Sequence, residues 1–199
     1  LMEYGDNVLD LALRLRVHLL MEALKAEPLR GLEELAPGVR SLQLRYDSRV
    51  LHQQALIDHL LTRYHAIHRQ QLPELIRLAA RVEQVHGRHE ECPTGLTELL
   101  MDMQQELESH MQKEEQVLFP MILRGAGAMA GGPIGVMRFE HDQHGETLAR
   151  LAELTDDIRA PAGACNTWQA LYRGLNELRV DLMQHIHLEN NLLFPRALG

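Results

Sequence analysis

Two short runs of this 199-residue sequence carry the residue types that hold metal ions. His110 and Glu114 stand four apart and lead into Leu118-Phe119-Pro120, while His185 and Glu189 stand four apart and lead into Leu193-Phe194-Pro195. A second pattern accompanies the first. His65, His68, Leu72 and Leu75 recur as His141, His144, Leu148 and Leu151, shifted by 76 residues, and the first pattern recurs after 75. On a helix, positions i and i+4 share one face about a turn apart, so each His/Glu pair points one way. A chain made of two copies of one helical hairpin places the copies about a pseudo-two-fold axis. His65, His110, His141 and His185 then gather with Glu114 and Glu189. Imidazoles mixed with carboxylates suit Fe, Mn or Zn, and two carboxylates between two ions bridge them. Four imidazoles, two bridging carboxylates and an oxo or hydroxo bridge leave about one position open on each of two six-coordinate ions. A small ligand can enter there.

The other candidates are weaker. His68 and His144 also repeat, but an i+3 position swings about 60° off the ligand face of an ideal helix. They are expected outside the ligand ring or at the surface. His86 lies roughly 31 Å along a helix from His65, too far to share its ion. His86, His89 and Cys92 have zinc-like spacing but lack a fourth ligand. His18, His52, His59 and His187 belong to no pattern. The Leu-Phe-Pro tails read as packing and helix termination. Gly125-Ala126-Gly127 echoes a dinucleotide fingerprint, but no strand precedes it. The sequence contains no His-Glu-x-x-His pair, no P-loop and no set from which a Ser–His–Asp triad could be assembled.

These residues need long helices to position them. Leu, Ala, Glu, Gln and Arg dominate and β-branched residues are sparse, which predicts an all-α chain. A first helix is predicted over about 7–26, ending before Pro28, with a Pro37-Gly38 turn following and 39–50 left ambiguous. Four long helices follow over about 52–86, 94–123, 134–159 and 166–194. A kink is expected near 69–73 because Pro73 removes one backbone bond. Short connections make neighbours antiparallel, so residues 51–199 read as a four-helix bundle and 1–50 as a small helical N-terminal segment.

Composition narrows the partners. Twenty Lys+Arg against 28 Asp+Glu give a net charge of −8, so no basic stripe is available to neutralise nucleic-acid phosphates. No apolar run reaches the length of a membrane span, and no signal-peptide pattern appears. Two cysteines, Cys92 and Cys165, make no disulfide framework, and the reading is a cytoplasmic protein. Twelve histidines stand against one Trp, four Tyr and three Phe, which favours metal chemistry over base stacking. A homodimer is left open.

The duplicated His/Glu–Leu-Phe-Pro run resembles the repair-of-iron-centres proteins of the hemerythrin-like superfamily. So do Arg63-Tyr64-His65 with Gln71 to Leu75, Glu140-His141-Asp142, Cys165 with Thr167-Trp168, and Leu188 to Asn191. The likeness covers about 53–198. It implies a hemerythrin-like bundle holding two non-haem iron ions, oxo- or hydroxo-bridged. His65, His110, His141 and His185 would be terminal ligands, with Glu114 and Glu189 bridging. It further implies a bacterial cytoplasmic protein that restores iron–sulfur clusters damaged by nitric oxide or oxidants, with those iron–sulfur proteins as partners and NO or O2 as small ligands. An O2/NO sensor and an NO-reducing di-iron enzyme are the alternatives. Two departures stand out. Gly145 occupies the position where oxygen carriers place a further His, which leaves the iron more open and more labile. Residues 1–50 contain no cysteine, whereas the resembled proteins carry a pair in their N-terminal part.

Overall fold

The computed structural model describes residues 52–199, the strands Leu32–Pro37 and Leu42–Tyr46, and helical positions His18, Met21, Glu22 and Lys25. Most of the helix predicted over 7–26 lies outside the described residues. At 32–46 the helical expectation for the N-terminal segment is corrected. Leu32–Pro37 (β1) and Leu42–Tyr46 (β2) form an antiparallel ribbon, with Leu35 opposite Leu44 and a register shift between Leu32 and Glu34. The reason is legible in the chain. Leu42-Gln43-Leu44-Arg45-Tyr46 alternates apolar and polar, the strand period, and Pro37 closes β1 beside Gly38.

Four helices build the bundle. The first, α1, spans 53–86: Gln53–His59 is α-helical, Leu60–His65 is π-helical, and Ala66–His86 is α-helical again. The second, α2, spans 96–123 with a π stretch at Glu114–Leu118. The third, α3, is Gly131–Leu154 and is α-helical throughout. The fourth, α4, spans 166–198 with a π stretch at Glu189–Leu193. The start of α1 meets the far part of α4, where His65 touches His185; its end meets the beginning of α4, where His86 touches Cys165. Those neighbours are antiparallel, as expected.

Two local predictions are revised, and α1 adds a feature of its own. The helix around Pro73 stays α-helical from Ala66 to His86, and the departure from α geometry comes earlier, at Leu60–His65. The Leu-Phe-Pro tails pack but do not end their helices, which continue as Phe119–Leu123 and Phe194–Leu198. In α2 and α4 the π stretch stops two residues before the proline of its tail. The wider turn relieves the clash between the ring and the carbonyl four residues back, so the helix survives it. Helix α3 ends at Leu154 rather than near 159. Thr155 bonds Leu151 O through its hydroxyl at 2.6 Å and accepts from Ile158 N at 3.1 Å, and Asp156, Asp157 and Ile158 take φ of 49, 56 and 57°. A side chain that satisfies the backbone locally competes with the next helical turn.

The apolar faces close into two separate cores. One end holds Leu56, Leu60, Leu118, Phe119, Ile134, Leu193 and Phe194. The other holds Leu72, Leu75, Leu100, Leu107, Leu151, Trp168, Leu175 and Leu182. The buried histidines and glutamates lie between them. Each of the four long helices contributes at least one buried histidine to this polar layer.

Candidate metal centre

The six predicted residues come together. Helix α1 presents His65 at the last position of its π stretch, and α2 presents His110 one turn before Glu114, the first π residue. Helix α3 supplies His141, and α4 supplies His185 with Glu189, again the first π residue. All six are at most 3% exposed. Glu114 reaches both halves of the site, with Oε2 at 3.4 Å from His65 Nε2 and Oε1 at 3.4 Å from His110 Nε2. Glu189 does the same, with Oε1 at 3.1 Å from His185 Nε2 and Oε2 at 3.1 Å from His141 Nε2. The paired imidazole nitrogens lie 3.1 Å apart in the His65/His185 half and 3.2 Å apart in the His110/His141 half.

These spacings fit cations. Ligand atoms about 2.1 Å from one ion and at right angles to each other sit about 3.0 Å apart. Two four-residue groups meet this geometry, His65/Glu114/His185/Glu189 and His110/Glu114/His141/Glu189, and they share both carboxylates. Both oxygens of Glu114 and Oε2 of Glu189 are buried without a hydrogen bond. Burying two such carboxylates is costly unless positive charge stands between them.

The outer nitrogens are held as well. His65 Nδ1 meets Glu115 Oε1 at 2.8 Å, His110 Nδ1 meets Glu140 Oε2 at 2.9 Å, and His141 Nδ1 meets Asn190 Oδ1 at 3.1 Å. An acceptor there keeps the proton on Nδ1 and turns the Nε2 lone pair inward. Arg69 anchors Glu115 at 2.8 Å and Lys113 anchors Glu140. His185 Nδ1 has no such partner; the Tyr64 ring stacks on it at 5.5 Å instead. Phe119 lies against His65 and Phe194 against His141, so the tails also seat those rings. Sequence reasoning missed the roles of Glu115, Glu140 and Asn190. Their signal was adjacency to a ligand, since a residue one step along a helix turns about 100° and can reach the next helix.

Burial and charge oppose each other at the site. Burial works against a charged His110, but Glu114, Glu189 and Glu140 outweigh it and push its pKa up to about 9. His65 is raised in the same way, with Glu114 overcoming burial. Burial, reinforced by the neighbouring His65, drives His185 well below its ordinary value. Burial would raise Glu189, yet His141 and the other imidazoles hold it below the usual carboxylate range.

The remaining histidines fall where spacing alone could not place them. His68 and His144 are buried, outside both four-residue groups, and without hydrogen bonds. His68 packs on His185 at 5.5 Å and His144 on His110 at 5.2 Å. Gly145, one residue on, is exposed. His86 stays at the far end of the bundle, with Nε2 at 3.2 Å from Cys165 Sγ rather than beside Cys92.

A helical bundle with a buried four-histidine, two-glutamate cluster between two apolar cores defines a class, the cation-binding four-helix bundles. The chain belongs to the hemerythrin HHE cation-binding domain family, which matches residues 56–197. Among similar proteins are two named iron-sulfur cluster repair protein YtfE, from Yersinia pseudotuberculosis serotype IB (strain PB1/+) and Yersinia pestis (strain Pestoides F). Each is 57% identical over 143 residues, which covers 72% of this chain and 65% of the relative. The matched stretch thus spans just under two thirds of those relatives. Among the described residues no helix is long and apolar enough to cross a membrane.

Proposed function

We propose that this chain is a di-iron protein that restores iron–sulfur clusters damaged by nitrosative or oxidative stress. The observation that carries the reading is the pair of carboxylates, each reaching one histidine from both halves of the cluster. His65 and His185 would hold one iron, His110 and His141 the other, and Glu114 and Glu189 would bridge them. The names of the similar Yersinia proteins support the choice of repair. When bound, the iron pair would supply releasable ferrous iron and an open position for NO. The chain's own part is to hold four neutral imidazoles inward, to exclude water with the two cores, and to compensate two buried carboxylates. Only two imidazoles per ion, beside two shared carboxylates, favour exchange, because ferrous iron stands low in the divalent affinity order.

The ligand set is tested by metal analysis. Glu114→Leu and Glu189→Leu are expected to lose most of the iron, while His68→Ala retains it. Full occupancy in both Glu variants would sink the assignment. Repair is tested by isotope. Reduced protein carrying labelled iron should reactivate an NO-damaged iron–sulfur enzyme anaerobically, and the label should appear in the recovered cluster. Recovery without label would show that the chain removes NO and donates no iron.

A further inference from the structure

The end of the bundle away from the cluster brings together a second pair of reactive side chains. His86 closes α1, Cys165 stands immediately before α4, and His86 Nε2 lies 3.2 Å from Cys165 Sγ. Cys165 is exposed, and its thiol makes no capping bond to the helix it precedes. The imidazole is therefore the one side-chain partner of Sγ among the described residues. The His86 ring is seated on Trp168 at 5.0 Å, and Trp168, 1% exposed, is packed in turn by His89 and Tyr172. A nucleophile within hydrogen-bond reach of a base, with that base held by a third group, is the arrangement that activates a thiol. Cys92 offers the contrast. It is half-buried against the apolar core, burial pushes its thiol up, and no imidazole touches it among the described residues.

Beside the pair, a pocket of about 610 Å³ in the groove between α1 and α4 is lined by Arg77, Arg81, Gln84 and Thr167 among others. No carboxylate lines it. Arg77 is paired with Glu74, whereas Arg81 bonds the neutral Gln84 and has no carboxylate partner among the described residues. Thr167 is two residues from Cys165, so the pocket wall begins at most about 7 Å along the chain from the thiol. An unpaired guanidinium gives that wall a positive charge, which suits a carboxylate.

We propose that Cys165 with His86 is a thiol–disulfide exchange site for small disulfides that carry carboxylates, the Arg81 pocket holding their acid groups. His86 Nε2 takes the proton from Sγ, and the sulfur electron pair forms a bond to one sulfur of the incoming disulfide. The S–S bond of that disulfide breaks, and the departing thiolate takes the proton from His86. One mixed disulfide on Cys165 and one free small thiol result, with no further oxidant or reductant consumed. The proposal stands apart from the reading of the metal cluster.

The test uses the full chain, kept anaerobic, with two probes that share an S–S bond and differ in charge: glutathione disulfide, which carries carboxylates, and cystamine, which carries amines. Intact mass should show one added glutathione moiety, and peptide mapping should place it on Cys165. His86→Asn should slow the reaction of both probes about three- to thirty-fold at about pH 7 and match wild type near about pH 10, where an ordinary thiol ionises unaided. Arg81→Gln should slow glutathione disulfide about two- to five-fold and leave cystamine no slower. Modification of Cys92 as fast as Cys165 overturns the proposal, as do wild-type rates in His86→Asn at about pH 7. Slowing that persists at about pH 10 would make His86 a prop and strike its role as base. Equal slowing of both probes in Arg81→Gln would strike the preference for carboxylates. Iron content, measured alongside, should be the same in every variant, so failure here leaves the cluster reading untouched.

Discussion

At the residue scale, the acceptors behind the histidines decide how strongly the cluster holds a cation. Glu140 keeps His110 Nδ1–H in place at 2.9 Å and, with Glu114 and Glu189, keeps that imidazole protonated up to about 9 in the metal-free protein. Metal must displace this proton, because only neutral imidazole ligates. Metal affinity should therefore climb as pH rises toward about 9, and binding at pH 7.5 should release protons, detectable by calorimetry in buffers of different ionisation enthalpy. Without metal, the sign for folding is the reverse: a raised histidine stabilises the fold below its unfolded value of about 6.5, and that contribution fades as pH rises through about 9. His144 and His187, each held neutral by burial down to about 4, act oppositely. Their stabilisation is present above about 6.5 and is lost as pH falls toward about 4. Replacing Glu140 with Gln keeps the shape and removes the charge. It should weaken metal binding about 10- to 100-fold in competition with a chelator, and an unchanged affinity would mean that packing alone orients His110.

At the element scale, close approaches between helices set the frame. A Cβ on Gly127 would stand 1.8 Å from the carbonyl oxygen of Ala197, where backbone meets backbone and neither can yield cheaply. A Cβ on Gly174 would stand 2.6 Å from Leu75 Cδ2, the end of a side chain that can rotate away. Gly127→Ala should therefore cost about 1–3 kcal/mol and lower the melting temperature by several degrees, with a smaller loss for Gly174→Ala. Equal melting temperatures for Gly127→Ala and wild type would show that the end of α4 is free to shift. The same elements explain what the sequence hid. Helical period was legible from Leu, Ala and Glu, and so were the breaks at Pro93, Gly125 and Pro161. The three π stretches were not, because their cause is a clash with a proline or a demand at the site rather than a local preference. The β-ribbon was legible in Leu42 to Tyr46 but is too short to outweigh a helical composition.

At the scale of the whole molecule, nearly every core side chain comes from residue 56 onward, with Met21 the exception among those described. We therefore expect a chain starting at residue 51 to fold and to bind metal as the longer chain does, by circular dichroism and metal analysis. Loss of helicity in that chain would make residues 1–50 part of the fold. The bundle itself should stay helical without metal, since its two cores do not depend on the polar layer.

The sequence by itself determined the duplication, and with it the six residues that meet at the cluster. A repeat of type and spacing survives unfolding on paper, and helical geometry converts it directly into a shared face. What only the tertiary structure decided is everything that crosses between helices. It showed that Glu115, Glu140 and Asn190 reach the outer nitrogens, and that His68 and His144 turn inward against the rings of His185 and His110. Those pairings lie far apart along the chain, so their distances depend on how neighbouring helices rotate and pack. No local propensity encodes that rotation.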